Sequence, residues 1–226
     1  MGALGTLAGA RLYYLLGTGT GVTVNTILSL RSDGAGSWGG YIGGFVGIWA
    51  YLRLARTDPL PYLDAVSGAA ALAPIIGRWG CLLAGCDFGR ITAVPWAIHY
   101  PPGSPTFVAH VQNGLLAANA PRSLPVHPLP IYLSLNGLVL FVIITAIWRR
   151  TRHRPGMTVA AAWVLYGVSR FFLEFLRDPA ASWAEAGISI AQWMALVSIG
   201  IGLAIAVGVS RRATSSSPAP VRAASP

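Results

Sequence analysis

The sequence predicts an all-α fold: a polytopic transmembrane helix bundle with about six spans and one larger external loop. Three observations predict it. The first is composition. Of 226 residues, 54% are apolar and 10% charged, against about 25% charged in an ordinary soluble domain. The mean hydropathy of +0.58 agrees. The second is segmentation, since apolar stretches of about 20 residues, the length that crosses a hydrocarbon core, recur along the chain. The third is charge placement. All 16 basic residues are arginine, and they crowd into alternate loops.

The segments follow in order. The first runs over 3–30, with a break expected near Gly17–Gly21. Its start lacks a basic leader and Arg11 interrupts the apolar run, so no cleavable signal peptide is expected. The second covers 39–55, where Gly40, Gly44 and Gly47 line one face and permit close helix approach. Packing is the ordinary reading of those glycines. The third covers 62–84 and holds Asp64 near one end and Arg78 near the other. Residues 85–126 form the large loop, with the run His99-Tyr100-Pro101-Pro102-Gly103-Ser104-Pro105. The last three segments are 127–148, 157–177 and 186–209. Residues 1–209 read as one transmembrane domain, and 210–226, small, polar and Pro-rich, as a disordered cytoplasmic tail.

Loops 53–59, 149–155 and 210–226 carry nine arginines: Arg53, Arg56, Arg149, Arg150, Arg152, Arg154, Arg211, Arg212 and Arg222. Stretches 31–38, 85–126 and 177–185 carry four: Arg31, Arg90, Arg122 and Arg177. Basic loops stay inside, so six spans put both termini in the cytoplasm. A net charge of +9 could suggest nucleic acid. The location of the charge argues for topology instead, and no nucleic-acid partner is expected. Two cysteines, Cys81 and Cys86, make no disulfide framework. Five apart on a helix, they would not share a face, and they read as small apolar residues. No metal or cofactor is expected.

Arg11, Arg78, Arg170 and Glu174 fall inside apolar segments. A charge at the bilayer centre costs at least ~2.5–3.5 kcal/mol, so such residues face a bundle interior or cavity, where they pair or bind something charged. Arg170 and Glu174 are i and i+4 on one face, and Arg177 continues the stripe to the external interface. The stripe carries one net positive charge without a partner inside its segment. One reading is an internal ion pair that holds the bundle together. The other is an anionic ligand near the outer leaflet. Arg78 is flanked by Gly77 and Gly80, which allow close approach, although it could also snorkel to headgroups. Arg78 and Arg170 together suggest a clamp for phosphate, whose geometry arginine matches bidentately.

Three motifs carry a resemblance. They are Gly77-Arg78-Trp79-Gly80 with Gly85-Cys86-Asp87-Phe88-Gly89-Arg90 and Pro95-Trp96-Ala97; His127-Pro128 with Tyr132; and the run Tyr166-Gly167-Val168-Ser169-Arg170 through Glu174 and Arg177 to Asp178-Pro179. Their order and spacing resemble the bacterial prolipoprotein diacylglyceryl transferase family. Gly9-Ala10-Arg11, Gly43-Gly44, Asp64 and Gln192 also match, so the resemblance spans about Gly5 to Gly208. It implies an inner-membrane enzyme that moves the diacylglyceryl group of phosphatidylglycerol to the lipobox cysteine thiol of a prolipoprotein. It implies catalytic roles for Arg78, Arg170 and Glu174, and substrate binding by Arg78, Arg90, Arg170, Arg177 and Tyr132. Phosphatidylglycerol and the lipobox segment are then the partners. The alternative is an inactive or repurposed paralogue that binds phospholipid or lipidates another acceptor. A transporter with an arginine-lined anion path ranks last.

The chain departs from the family pattern at four places. The histidine expected before Gly43-Gly44 is Ile42, an expected Asn is Cys81, an expected Glu is Cys86, and an expected Gln is Pro130. By the resemblance, the family's first membrane segment is expected to be absent from this sequence, since Met1 falls near the start of its second. If the family histidine is the thiol base, its substitutes here are Glu174, His99 or His127. His127 otherwise reads as a cap where the chain enters a helix, and His99 as a loop residue.

Overall fold

In the computed structural model of the protein, residues 1–19, 37–179, 184–185 and 188–215 are described. Among them lie seven α-helices: α1 (Gly2–Thr18), α2 (Ser37–Leu54), α3 (Leu60–Ala84), α4 (Pro105–Gln112), α5 (Leu129–Thr151), α6 (Met157–Leu173) and α7 (Ile190–Ser215). A 3-10 turn, Glu174–Leu176, extends α6, and a short antiparallel hairpin pairs β1 (Ala184–Glu185) with β2 (Ile188–Ser189). Four stretches are long and apolar enough to cross a membrane: Leu60–Ala84, Leu129–Thr151, Met157–Leu176 and Ile190–Arg212. They coincide with four of the six expected segments. α1 and α2 occupy the other two, at 17 and 18 residues.

α1 ends where Gly19 takes the left-handed conformation (φ 67°), inside the break expected near Gly17–Gly21. The continuation over 20–30, the loop to residue 36 and the tail from 216 lie outside the described residues. The tail expected from residue 210 needs correction at its start, because α7 runs on to Ser215. Ser210 Oγ donates to Ala206 O at 2.9 Å, and Arg211 and Arg212 suit the negative end of the helix dipole.

The chain divides into two compact units, Met1–Ala65 and Val66–Pro226. In the first, α1 packs on α2 backbone to backbone. A Cβ on Gly5 or Gly9 would strike the backbone of Gly43 or Gly39, and Gly40 and Gly44 face Thr6. The small-residue face is a packing surface, as composition suggested. Arg11 is buried, its guanidinium 5.6 Å from the Tyr14 ring centroid. Ile42 sits partly buried on α2.

In the second unit, Ala71, Leu140 and Ile144 form a core against Phe141, Ala162, Leu165 and Tyr166. Small residues and hydroxyls close the helix contacts, as is usual in membranes. A Cβ on Gly167 would lie 2.6 Å from Ala195 O, and one on Gly202 2.7 Å from Ala160 O. Ser134 Oγ donates to Ile75 O (2.9 Å), Asn136 Nδ2 to Ser169 Oγ (3.1 Å), and Ser198 Oγ to Trp163 O (2.8 Å).

The large loop is a built layer. α4 is capped by Ser104, whose Oγ accepts from Phe107 N, and Thr106 Oγ1 donates to Gly85 O at 2.7 Å. Phe88, Tyr100 and Val126 pack beneath it. Isolated bridges join Gly89 to Arg177 and Val126 to both Ile91 and Ile98. These bridges tie together the end of α3, the start of α5 and the end of α6. The arginine-rich ends of α5 and α7 therefore lie at the opposite end of the unit.

Candidate functional site

At the bridged end, three arginines and two carboxylates converge. α3 supplies Arg78 in its last two turns. After Ala84, Gly85 (φ 69°) and Asp87 (φ 62°) both adopt the left-handed conformation. Glycine does so freely; aspartate is among the few other residues that tolerate it. The double turn sends the Asp87 carboxylate back toward the helix. One oxygen pairs with Arg78 Nη1 and the other with Arg177 Nη1. Arg177 Nε also donates to Glu174 Oε2 at 3.0 Å, and Arg170 Nη1 approaches the same oxygen at 2.6 Å. Arg170 Nη1 is fully buried, yet it has no aligned hydrogen-bond acceptor among the described residues.

Glu174 is held from a second side. Ser189 Oγ donates to Glu174 Oε1 at 3.0 Å. Ser189 also begins α7 in a reciprocal capping box. Its Oγ accepts from Gln192 N (3.2 Å), and Gln192 Oε1 accepts from Ser189 N (3.0 Å). Both Glu174 oxygens are therefore occupied and the residue is buried at 6% exposure. Three guanidiniums against two carboxylates leave one net positive charge. Burial pushes the Asp87 carboxyl up, but Arg177, Arg78 and Arg170 outweigh it and hold it below its ordinary value.

The backbone explains how distant motifs meet. Gly89 N donates to His127 O (3.1 Å), His127 N to Arg90 O (3.0 Å), and Arg90 N to Leu176 O (2.8 Å). A Cβ on Gly89 would lie 2.6 Å from His127 Cβ and 2.8 Å from Leu176 O, so glycine is what lets the strands close. Arg90 is exposed at the rim, its Nε donating to Arg177 O at 3.3 Å.

Beside this cluster, Trp96 Nε1 donates to Tyr132 Oη at 2.6 Å, and Tyr132 Oη lies 3.2 Å from His127 Nδ1. Indole nitrogen can only donate. The Tyr132 hydroxyl keeps its own proton to donate, and it donates to His127 Nδ1 in the tautomer that leaves that nitrogen bare. His99 Nδ1 meets Ser123 O at 2.8 Å. Cβ atoms built on Gly77 and Gly80 meet nothing within 4 Å among the described residues, so the flanks of Arg78 are open.

Arg78, Arg170, Glu174 and Arg177, all expected from the sequence, come together in the structure. Arg90 and Tyr132 lie at the rim. Asp87 was missed as a site residue, although it stands inside a quoted motif. The net charge of the stripe is met in part by this carboxylate from another element. His127 is corrected as well. Pro128 holds the N-cap position of α5, with no side-chain cap, and His127 faces Tyr132. The two cysteines are corrected too. The helix ends before Cys86, and the left-handed Gly85 folds Cys86 back onto Cys81.

Residues 1–208 match the family model for prolipoprotein diacylglyceryl transferase. The chain belongs to that family. A phosphatidylglycerol–prolipoprotein diacylglyceryl transferase of Clostridium tetani is 30% identical over 202 residues, covering 88% of this chain and 74% of the relative. Like-named proteins of Psychrobacter arcticus and Idiomarina loihiensis are 28% identical over 206 residues and 29% over 205. These alignments cover 68% and 70% of the relatives' own lengths. The family match therefore takes in both units and every charged residue of the cluster.

Proposed function

We propose that the chain transfers the diacylglyceryl group of phosphatidylglycerol to the lipobox cysteine thiol of a prolipoprotein. The observation that carries this reading is the cluster of Arg78, Arg170 and Arg177 around Asp87 and Glu174, with its net positive charge and the open flanks of Gly77 and Gly80. In this reading six segments span the bacterial inner membrane, both termini are cytoplasmic, and the cluster faces outward, opposite the arginine-rich end.

The chemistry asks for these groups. The thiolate sulfur bonds to the terminal glyceryl carbon, and the carbon–oxygen bond to phosphate breaks. Glycerol phosphate departs with the bonding pair, so negative charge grows on the phosphate. Arg78 and Arg170, already placed and partly desolvated, stabilise that charge; one such donor is worth roughly 10²–10³ in rate. Glu174, Arg177 and Asp87 hold the two arginines apart and aimed. Arg90 receives the headgroup at the rim. With both Glu174 oxygens occupied and Ile42 unable to exchange a proton, the thiol proton passes through Tyr132 Oη to His127 Nδ1. Tyr132 accepts it as its own proton moves on to histidine.

The test uses purified full-length chain in phosphatidylglycerol vesicles with a lipobox peptide. The peptide gains the mass of a diacylglyceryl group, and Arg78→Ala or Arg170→Ala reduces the rate by at least about 10². A folded preparation that leaves the peptide unmodified overturns the reading. Failure to rescue a transferase-depleted strain would then favour a paralogue that lipidates another acceptor, a role to which Ile42, Cys81 and Cys86 point.

A further inference from the structure

We propose that Cys81 and Cys86 form a thiol–disulfide exchange site, a dithiol that an external disulfide converts to an intrachain bridge beside the arginine cluster. The proposal rests on how α3 ends. Cys86 N donates to Cys81 O at 3.1 Å, a six-residue closure around the left-handed Gly85. This is the helix-terminating turn that brings a residue of the last helical turn, here the fourth-last, against the second residue past the end. Backbones joined this way lie within the few ångströms that a disulfide requires. Cys86 Sγ already turns inward, 3.8 Å from Cys81 O. Both side chains keep partial solvent access, so a reagent can reach them. Neither cysteine takes part in the ion pairs of the cluster.

The surroundings mark the pair as chemically distinct. Burial first, then Cys81 and the charge of Asp87, push the Cys86 thiol up to about 11. Tyr100 Oη is buried without a hydrogen-bond partner among the described residues, in the field of both thiols. Little Cys86 thiolate is present at neutral pH, so exchange through Cys86 is slow there and accelerates with pH.

The step balances as ordinary exchange. One cysteine loses its proton and attacks a small external disulfide, and the first external thiolate leaves. The second cysteine loses its proton, attacks the mixed disulfide, and the second thiolate leaves. The protein loses two electrons and two protons; the external disulfide gains both and becomes two thiols. In the outward orientation proposed above, the pair meets an oxidising compartment where such disulfides persist. The bridge would lie across the turn that carries Asp87, the residue joining Arg78 to Arg177. Closing it changes the setting of the clamp.

The experiment treats full-length chain in phosphatidylglycerol vesicles with oxidised glutathione at rising pH, quenches with acid, and reads intact mass and alkylatable thiols. This readout needs no transferase activity, so its failure is separable from failure of the proposed function. The expected result is a monomer that loses both thiols together and two hydrogens in mass. Cys81→Ser and Cys86→Ser should each retain one bound glutathione instead. A wild-type chain that stops at the mixed disulfide, keeps both thiols, or cross-links between chains overturns the proposal. In a second measurement, the oxidised chain lipidates peptide several-fold more slowly and recovers with dithiothreitol, while the double variant Cys81→Ser with Cys86→Ser, which has no thiol to oxidise, is indifferent to both. An unchanged rate in the bridged chain overturns the coupling to the clamp.

Discussion

Asp87→Asn tests the central claim about the cluster, that one carboxylate holds two arginines together. The substitution keeps size and shape but removes the charge between Arg78 and Arg177. Removing one partner of a fully buried ion pair costs about 3–5 kcal/mol, because the other charge is left uncompensated. The Asp87 and Arg177 side chains are each 11% exposed and Arg78 is 18% exposed. Water therefore relieves part of the loss, and about 2–3 kcal/mol is expected. For a chain of this size that corresponds to a fall of roughly 5–10 °C in Tm. Thermal unfolding in detergent with phosphatidylglycerol measures it. Arg177→Gln alone should also destabilise, and the double variant Asp87→Asn with Arg177→Gln should cost less than the two singles together, by about 1–3 kcal/mol. The lowered Asp87 pKa gives a second handle. The carboxylate contributes stability above its ordinary value of 3.8, and this is lost as pH falls through the lowered folded value. Asp87→Asn should lack that acid-side loss. A variant within about 1 °C of wild type, with single and double effects that simply add, would refute the bridging role.

Three further outcomes follow from the same geometry. Ser189→Ala removes both the cap of α7 and a hydrogen bond to Glu174, and should lower stability by about 1–2 kcal/mol in thermal unfolding, with Ser189→Thr recovering most of it. Gly89→Ala forces a Cβ to within 2.6 Å of His127 Cβ; it should cost about 1–3 kcal/mol and reduce peptide lipidation, since the bridge it opens positions Arg177. His110 is 1% exposed with neither ring nitrogen partnered among the described residues. Burial lowers its pKa from 6.5, with Asp178 opposing. Its contribution is therefore present above pH 6.5 and lost as pH falls through the folded value. His110→Leu should be nearly neutral at pH 8 and less sensitive between about pH 6.5 and 5, compared by Tm across that range.

The helical class, the apolar segments, the arginine-rich end and the Arg170–Glu174–Arg177 stripe are all legible in the order of residues alone. Each is a local quantity. Segment length is set by bilayer thickness, and the stripe by the helical period, so a residue's neighbours three and four places away are known without a fold. Residues separated along the chain found their partners only in three dimensions. Asp87 reaches Arg78 and Arg177 because two left-handed residues, Gly85 and Asp87, reverse the chain on either side of Cys86, a direction that apolar periodicity does not encode. Ser189 reaches Glu174 because α7 starts there with a capping box. Tyr132 and Trp96 meet because strand bridges bring the start of α5 under the loop. The cysteines show the same limit most plainly. On a continuing helix, residues five apart point away from each other; at a helix that ends in a left-handed glycine they meet, because that turn folds the chain back on its last carbonyls.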